Sequence, residues 1–310
     1  MKDQPIVIAH RGASGYLPEH TLVGKALAYG LGADYLEQDV VATRDRKLVV
    51  LHDLYLDDVS DVAQRFPERK RDDGHHYVID FDLAELKTLV VHERRGPASE
   101  AQKYPARFPR ETGIAGVATL GEELRLIQGL NRSMGRTVGI YPEIKAPAWH
   151  RRHGVDLAKL LLAELAEFGY SRASDPAYVQ CFDADELVRV KRDLGCELRL
   201  IQLVEEGAEH AALLTPAGLR RLATVAHGLG PSYGQLLAPR WPHLAPLVAQ
   251  AHDAGLRLHP YTFRRDALPT YVQTLEELLE FFFDAARVDG VFCDHPDVAV
   301  RVRDRLAKVQ

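Results

Sequence analysis

Residues 35–52 read Tyr-Leu-Glu-Gln-Asp-Val-Val-Ala-Thr-Arg-Asp-Arg-Lys-Leu-Val-Val-Leu-His, and this stretch decides the fold. It contains two apolar runs of strand character that are separated only by the seven residues 41–47. A crossover between parallel strands needs a dozen or more residues, so the second run must return antiparallel as a hairpin. His52, at the end of this hairpin, should therefore arrive close to Glu37 and Asp39 of the first run.

Outside this hairpin, strand-like and helical segments alternate along the chain, which indicates a parallel α/β fold. The predicted strands are Ile6–Ala9, Asp34–Asp39, Leu48–His52, Thr137–Lys145, Ala177–Phe182, Leu198–Leu203, Ala223–Leu229, Leu256–Tyr261 and Asp289–Cys293. Without the returning strand of the hairpin, eight remain parallel, the number that closes a (β/α)8 TIM barrel. We therefore predict a single TIM-barrel domain over residues 1–310, with its active site at the carboxyl ends of the strands.

Residues 53–118 interrupt this alternation. They are polar, contain clusters of proline and glycine, and carry the charged run Glu68-Arg69-Lys70-Arg71-Asp72-Asp73. Structureless loops of such length are uncommon in compact domains. We therefore interpret the segment as an inserted cap subdomain over the barrel mouth, with one short helix at Leu83–Val90.

The composition narrows the possible functions. The 310 residues are 46% hydrophobic and 27% charged, which is ordinary for a globular protein. A net charge of −5 and a pI near 6.3 argue against a general nucleic-acid binder, which would carry a basic face. The three scattered cysteines do not form a disulfide framework, and no apolar run approaches the ~18 residues of a membrane span. Because no apolar signal region opens the chain, a cytoplasmic location is expected unless an export signal has been removed.

Acidic side chains mark the ends of two predicted strands. Glu37 and Asp39 have the same parity and therefore face the same side of their strand, and Glu143 lies at the end of a neighbouring strand. Carboxylates a few ångströms apart repel one another unless a cation or a proton lies between them. An oxygen-rich group of this kind suits Ca²⁺ or Mg²⁺. The alternative is that these carboxylates only form salt bridges with Arg11 and Lys145.

Two histidines and two cations complete the predicted site. His10 follows the first strand and His52 ends the hairpin, and two histidines on either side of a metal can act as a general acid and a general base. Arg11 and Lys145 add positive charge for a phosphate, which arginine can bind through two hydrogen bonds. A lone histidine is more often a satisfied core residue, but the grouping with these charged residues favours catalysis.

Other ionisable residues receive structural interpretations. We interpret five histidines as surface residues because their surroundings in the sequence are polar: His75, His76, His92, His150 and His153. Asp294 follows the last strand, and the sequence leaves two roles open for it. It either reaches the mouth of the barrel or caps the C-terminal helix that begins near Pro296.

These motifs resemble those of the glycerophosphodiester phosphodiesterase family, and they span nearly the whole chain. The matching segments are His10-Arg11-Gly12 followed by Pro18-Glu19 and Thr21, Glu37-Gln38-Asp39, Val49–Asp53, Pro142–Lys145, Gln180–Asp183, His259–Thr262, and Asp289-Gly290 with Asp294 and Pro296. The segment 53–118, with Arg65-Phe66-Pro67 and Asp80-Phe81, is most similar to that of the periplasmic bacterial enzymes that use Ca²⁺.

The resemblance implies a TIM barrel that hydrolyses glycerophosphodiesters, such as glycerophosphocholine and glycerophosphoethanolamine, to sn-glycerol 3-phosphate and an alcohol. A glycerol hydroxyl would attack phosphorus to give a cyclic phosphate, which water then opens. The cofactor would be one divalent metal, Ca²⁺ as the first choice and Mg²⁺ as the alternative, and the location would be the periplasm. The implied roles are metal binding by Glu37, Asp39 and Glu143, acid/base catalysis by His10 and His52, and phosphate binding by Arg11 and Lys145.

Three other functions compete with this one. A metal-dependent amidohydrolase typically has a His-x-His pair on its first strand, where this chain has His10-Arg11-Gly12, so we disfavour it. A phosphodiester cyclase of the phospholipase D-like or phosphatidylinositol phospholipase C-like barrel type, which stops at the cyclic product, is the nearer alternative. A non-catalytic glycerophosphodiester-binding surface protein is the third, although the complete set of acid, base and metal groups argues against it. The predicted partner is a small-molecule glycerophosphodiester substrate, and neither a nucleic-acid partner nor a membrane span is expected.

Overall fold

A computed structural model describes residues 4–96, 101–207, 210–237 and 244–308. Its strands are β1 (Ile6–Ala9), β2 (Tyr35–Ala42), β3 (Leu48–Val50), β4 (Gly139–Ile144), β5 (Tyr178–Cys181), β6 (Arg199–Val204), β7 (Gly228–Pro231), β8 (Arg257–Leu258) and β9 (Gly290–Cys293). The helices are α1 (Leu22–Gly30), α2 (Val62–Arg65), α3 (Leu83–Leu86), α4 (Leu120–Met134), α5 (Pro147–Arg152), α6 (Leu157–Glu167), α7 (Ala184–Arg192), α8 (Pro216–Leu222), α9 (Leu247–Asp253), α10 (Leu275–Glu280) and α11 (Pro296–Ala307). A π-helical turn over Phe281–Ala285 continues α10.

Eight strands form a parallel sheet in the order β8-β7-β6-β5-β4-β2-β1-β9. Its two edges meet, because the Asp289 N–H donates to the Leu258 carbonyl at 2.9 Å and the Phe263 N–H donates to the Phe292 carbonyl at 2.8 Å. The sheet is therefore a nearly closed barrel, which confirms the predicted TIM-barrel fold. The seventh predicted strand was placed too early, since Ala223 belongs to the end of α8 and β7 starts only at Gly228.

The predicted hairpin is also present. β3 pairs antiparallel with β2, with Val50 opposite Val40 and Leu48 opposite Ala42, and its other edge forms an isolated bridge from Val49 to Thr119. The turn between them is closed by the Thr43 N–H, which donates to the Lys47 carbonyl at 3.0 Å. The hairpin extends beyond the barrel wall and carries the chain back to the mouth at His52.

Side chains of the strands fill the inside of the barrel. On each of these strands, the residue two positions further along the chain lies at the mouth. The interior residues are Ile8, Tyr141, Tyr178, Ile201 and Phe292. The Tyr141 and Tyr178 rings stack with centroids 4.9 Å apart, and the Tyr141 hydroxyl is 2.7 Å from Nδ1 of His259. Since side chains alternate along a strand, Ile8 and Tyr141 place His10 and Glu143 directly above this floor.

The insertion 53–118 has a small hydrophobic core of its own. Its residues 97–100 lie outside the described ranges. Val41 and Val49 of the hairpin pack there against insertion residues such as Leu56, Phe81 and Leu86. The helix expected at Leu83–Val90 is only the single turn α3, which is held by a capping box between Asp82 and Glu85. None of the helices in the described ranges is both long and apolar enough to cross a membrane.

The packing of Phe81 gives a stability prediction. Its side chain is fully buried, its ring meets Phe66 edge-on at 5.4 Å, and the Arg69 guanidinium lies over it. Phe81→Ala should therefore lower the free energy of unfolding by about 3–5 kcal/mol, measured by chemical denaturation. The matched control Met134→Ala, at a 55% exposed position, should change it by less than about 0.5 kcal/mol. Equal, small losses in both variants would contradict the assignment of Phe81 to a packed core.

Candidate active site

Three carboxylates meet at the carboxyl ends of β2 and β4. Glu37 and Asp39 lie on β2, and the strand register places Glu143 of β4 directly beside Asp39. Each offers an oxygen within 4.8 Å of the other two, and all three side chains are buried. The structure therefore brings together the predicted ligand set as a compact, oxygen-only group.

The pKa values of these three carboxyl groups are shifted in different directions by their surroundings. Burial, reinforced by the charge of Asp39, raises the pKa of Glu143 well above its usual range, and burial also raises the pKa of Glu37. Burial acts in the same direction on Asp39, but the positive charge of Lys145 and the contact with His20 hold its pKa well below the usual range. Oδ1 of Asp39 is buried and has no hydrogen-bond partner. A carboxylate oxygen that accepts no hydrogen bond, with Lys145 only 3.9 Å away as an ion-pair partner, fits a hard divalent cation among oxygen donors.

His10 faces this group from the end of β1. Its Nδ1 donates a hydrogen bond to Oδ1 of Asp294 at 2.6 Å, and its Nε2 is 3.9 Å from Oε2 of Glu37. Asp294 therefore reaches the mouth, which settles the two roles that the sequence left open. A carboxylate on Nδ1 fixes the tautomer of a histidine and leaves its Nε2 for proton transfer.

His52 has the same arrangement on the other side. Its Nδ1 donates to Oδ1 of Asp53 at 2.7 Å, and its ring is one-third exposed. Desolvation and the charges of Arg11 and Lys145 lower the pKa of His52 to about 4, so the ring is neutral near pH 7. Each predicted catalytic histidine is thus one half of a histidine–carboxylate pair.

Arg11 and Lys145 lie against the carboxylates. Nε of Arg11 is 3.5 Å from Asp39, and its main-chain N–H donates to Oε2 of Glu37 at 2.8 Å. Nζ of Lys145 is 2.8 Å from Oε1 of Glu143. The salt bridges considered as an alternative are therefore present, but they leave Oδ1 of Asp39 without a hydrogen bond and do not account for the two histidine pairs.

A buried layer behind β2 was missed by the sequence reasoning. His20 is buried and its Nε2 donates to Oδ2 of Asp39 at 2.7 Å. Burial lowers the pKa of His20 to about 3, so the ring is a neutral donor that orients Asp39. Nζ of Lys25 donates to the Glu37 carbonyl and pairs with Glu123 at 3.0 Å. The position of His20 within the motif Pro18-Glu19-His20-Thr21 was the available signal.

The interpretation of the remaining histidines as surface residues was wrong for three of them. His76, His92 and His150 are buried. Nδ1 of His76 is 2.7 Å from Oδ1 of Asp57, and Nε2 of His150 accepts from the Ala42 N–H at 3.3 Å. Polar neighbours in the sequence did not reveal the burial of His76 and His150, because these two side chains bind groups that are distant along the chain.

The insertion contributes two arginines to the histidine pairs. Nη1 of Arg94 donates to Oδ2 of Asp53 at 2.5 Å, and Nη2 of Arg107 donates to Oδ2 of Asp294 at 2.6 Å. In both pairs, one carboxylate oxygen holds the histidine and the other holds the arginine. Arg94 also donates to Glu19, whose carboxylate accepts from Arg11 at 3.0 Å. Neither arginine was selected from the sequence.

Comparisons with known proteins agree with this architecture. The model of the Glycerophosphoryl diester phosphodiesterase family matches residues 10–298. The chain is 40% identical to a glycerophosphodiester phosphodiesterase of Haemophilus influenzae, over 97% of this chain and 90% of that protein, and 38% identical to one of Treponema pallidum, over 98% and 93%. An Oleispira antarctica phosphodiesterase, solved in complex with the product sn-glycerol-3-phosphate, shares the fold with a TM-score of 0.67 at 22% identity, over 97% of each chain.

The geometry of the carboxylate group predicts metal binding. Asp39→Asn should weaken Ca²⁺ binding by more than about 100-fold, because losing a ligand should cost more than the roughly 10–100-fold typical of outer-shell changes. Isothermal titration calorimetry on the folded variant measures this. The control Asp185→Asn, at an exposed position of α7, should bind Ca²⁺ as the unaltered protein does. Equal Ca²⁺ affinities in all three proteins would show that the ion does not bind to this group of carboxylates.

Proposed function

This chain belongs to the glycerophosphoryl diester phosphodiesterase family and hydrolyses glycerophosphodiesters to sn-glycerol 3-phosphate and an alcohol; we propose that it does so with one divalent metal and two histidines. The observation that carries the proposal is a buried group of three carboxylates with a histidine–carboxylate pair on either side. No other described group of histidine, cysteine and acidic residues is placed to hold a metal ion.

Glu37, Asp39 and Glu143 would hold the metal, and Ca²⁺ is the ion we propose. When bound, the metal would supply positive charge that polarises a phosphoryl oxygen. The oxygen-only ligand set supports a hard cation rather than zinc, which usually takes nitrogen or sulfur ligands. Calcium in preference to magnesium, and a periplasmic location, rest on the resemblance of the insertion to that of periplasmic enzymes.

Arg11 and Lys145 bind the phosphate in this proposal. Both cations already lie at the carboxylate group, with Arg11 beside Asp39 and Lys145 beside Glu143. A phosphodiester carries one negative charge, which adds to the acidic site and needs these cations to offset the repulsion. The planar guanidinium of Arg11 can contact two phosphoryl oxygens, while the Lys145 ammonium acts as a point charge.

His10 and His52 move the protons. In the first step, one histidine accepts the proton of a glycerol hydroxyl as its oxygen attacks phosphorus. The bond from phosphorus to the head-group oxygen breaks, and the other histidine protonates that leaving oxygen. A cyclic phosphate results, and water opens it with the two roles reversed. The carboxylates of Asp294 and Asp53 stabilise each ring while it carries the extra proton.

The two histidines give a direct test. His10→Ala and His52→Ala should each lower kcat for glycerophosphocholine by at least about 100-fold, because each removes a proton-transfer group. Calcium affinity should survive in both variants, and EDTA should abolish the activity of the unaltered protein until Ca²⁺ or Mg²⁺ is restored. Glycerol 3-phosphate is the product to detect. Unchanged turnover in either variant would remove that histidine from the mechanism, and accumulation of the cyclic phosphate alone would favour the cyclase alternative.

The arginines of the insertion should matter for turnover. Arg107→Ala should lower kcat by about 10–100-fold, by analogy with the loss of outer-shell partners, because Asp294 loses a hydrogen bond that orients it towards His10. Calcium binding should be retained, since Arg107 does not touch the three metal-binding carboxylates. The matched control is Arg71→Ala, which removes another insertion arginine that binds a carboxylate, Asp80, away from the mouth. Equal effects of both substitutions on kcat would indicate a purely structural role.

A further inference from the structure

One uncharged side chain, that of Gln180, lies against the carboxylate group. Gln180 is on β5, where the strand register places it beside Glu143 of β4, and its side chain is fully buried. Tyr178, two positions earlier, is one of the side chains that fill the inside of the barrel. Because side chains alternate along a strand, Gln180 points to the same side and lies above Tyr178, at the mouth.

The amide of Gln180 holds one of the three carboxylates. Its Nε2 donates to Oε1 of Glu37 at 2.9 Å, while the main-chain N–H of Arg11 donates to Oε2 of Glu37 at 2.8 Å. Both oxygens of Glu37 are therefore held by uncharged donor groups. Such donors orient a carboxylate without adding a positive charge that would repel a bound cation.

The oxygen of the same amide has no partner. Oε1 of Gln180 is buried and accepts no hydrogen bond from any residue that the structure describes. A buried amide oxygen without a partner costs free energy, and such a group in a native protein often binds a water molecule or an ion. Since Nε2 binds Glu37 and both amide atoms are bonded to one carbon, Oε1 also lies close to the carboxylate group.

A second buried glutamine, Gln202 on β6, gives a contrast. Its Oε1 also has no hydrogen-bond partner, but its Nε2 donates to the main-chain carbonyls of Phe182 at 2.8 Å and Leu203 at 2.9 Å. Its neighbour Ile201 faces the inside of the barrel, so Gln202 faces the surrounding helices. The amide of Gln202 therefore binds the main chain, whereas that of Gln180 binds a carboxylate of the candidate metal site.

The coordination chemistry of calcium favours a neutral oxygen at this place. Ca²⁺ takes about 6–8 oxygen ligands, and the amide carbonyl of glutamine is among the groups that supply them. Three carboxylates that bind through one oxygen each leave room for further donors. Another carboxylate would add to the repulsion within the group, whereas an amide oxygen adds a ligand without adding charge.

We propose that Gln180 is a fourth protein ligand of the metal ion, through Oε1, and that its N–H holds Glu37 in place at the same time. The inference rests on the proposed function, because it concerns the ion of that same site. It extends the ligand set from three acidic residues on β2 and β4 to an amide on β5, so that a third strand takes part in metal binding.

Terbium luminescence tests this ligand in the full-length protein. Tb³⁺ substitutes for Ca²⁺, and its decay rates in H₂O and D₂O give the number of water molecules on the bound ion. Gln180→Met removes the oxygen at a similar side-chain length, so about one additional water should bind at saturating Tb³⁺. Gln180→Glu keeps an oxygen at this position and should leave the number unchanged. The control Gln202→Met, which alters a buried glutamine away from the mouth, should leave it unchanged as well.

Calorimetry with Ca²⁺ gives a second readout. Gln180→Met should lower the Ca²⁺ affinity by at least about tenfold, the lower end of what the loss of an outer-shell partner costs, while Gln202→Met should bind as the unaltered protein does. An unchanged water number in folded Gln180→Met, or an additional water in Gln180→Glu, would overturn the inference and leave the proposed function intact. If the unaltered protein binds neither Ca²⁺ nor Tb³⁺, the metal-dependent mechanism fails and the inference fails with it.

Discussion

The three carboxylates of Glu37, Asp39 and Glu143 repel one another in a buried site, and much of the surrounding structure is arranged around that repulsion. Arg11 and Lys145 provide opposing charge from the front. Behind β2, His20 donates to Asp39 and Lys25 donates to the carbonyl of Glu37. Oδ1 of Asp39 accepts no hydrogen bond and has only the Lys145 ammonium at 3.9 Å, so the three carboxylates together could hold a metal ion.

Hydrogen bonds to charged groups at the mouth also connect the insertion to the barrel. Arg94 and Arg107 each hold one oxygen of a carboxylate whose other oxygen holds a histidine. Both histidine pairs are therefore oriented by a segment that has its own small core on the β2–β3 hairpin. Because the hairpin carries both this core and His52, the position of the insertion and the geometry of the mouth are determined together.

Sequence reasoning identified the residues that lie at the ends of strands. Glu37, Asp39 and Glu143 were selected because alternation along a strand gives the side on which each side chain points. His10 and His52 were selected because one follows the first strand and the other ends the hairpin. His20, Arg94 and Arg107 were missed because they lie in loops, where no regular period relates sequence position to direction. The burial of His76 was missed for a related reason, since its partner Asp57 is 19 positions away in a segment without a pattern.

The sequence alone determined the barrel, the hairpin, and the three carboxylates that meet at the mouth. These features follow from rules that act over short stretches of chain, namely strand alternation and the minimum length of a crossover. Only the tertiary structure decided that Asp294 holds His10 and that two insertion arginines bind the histidine pairs. Such contacts join residues up to 284 positions apart, and their geometry depends on how the whole chain packs.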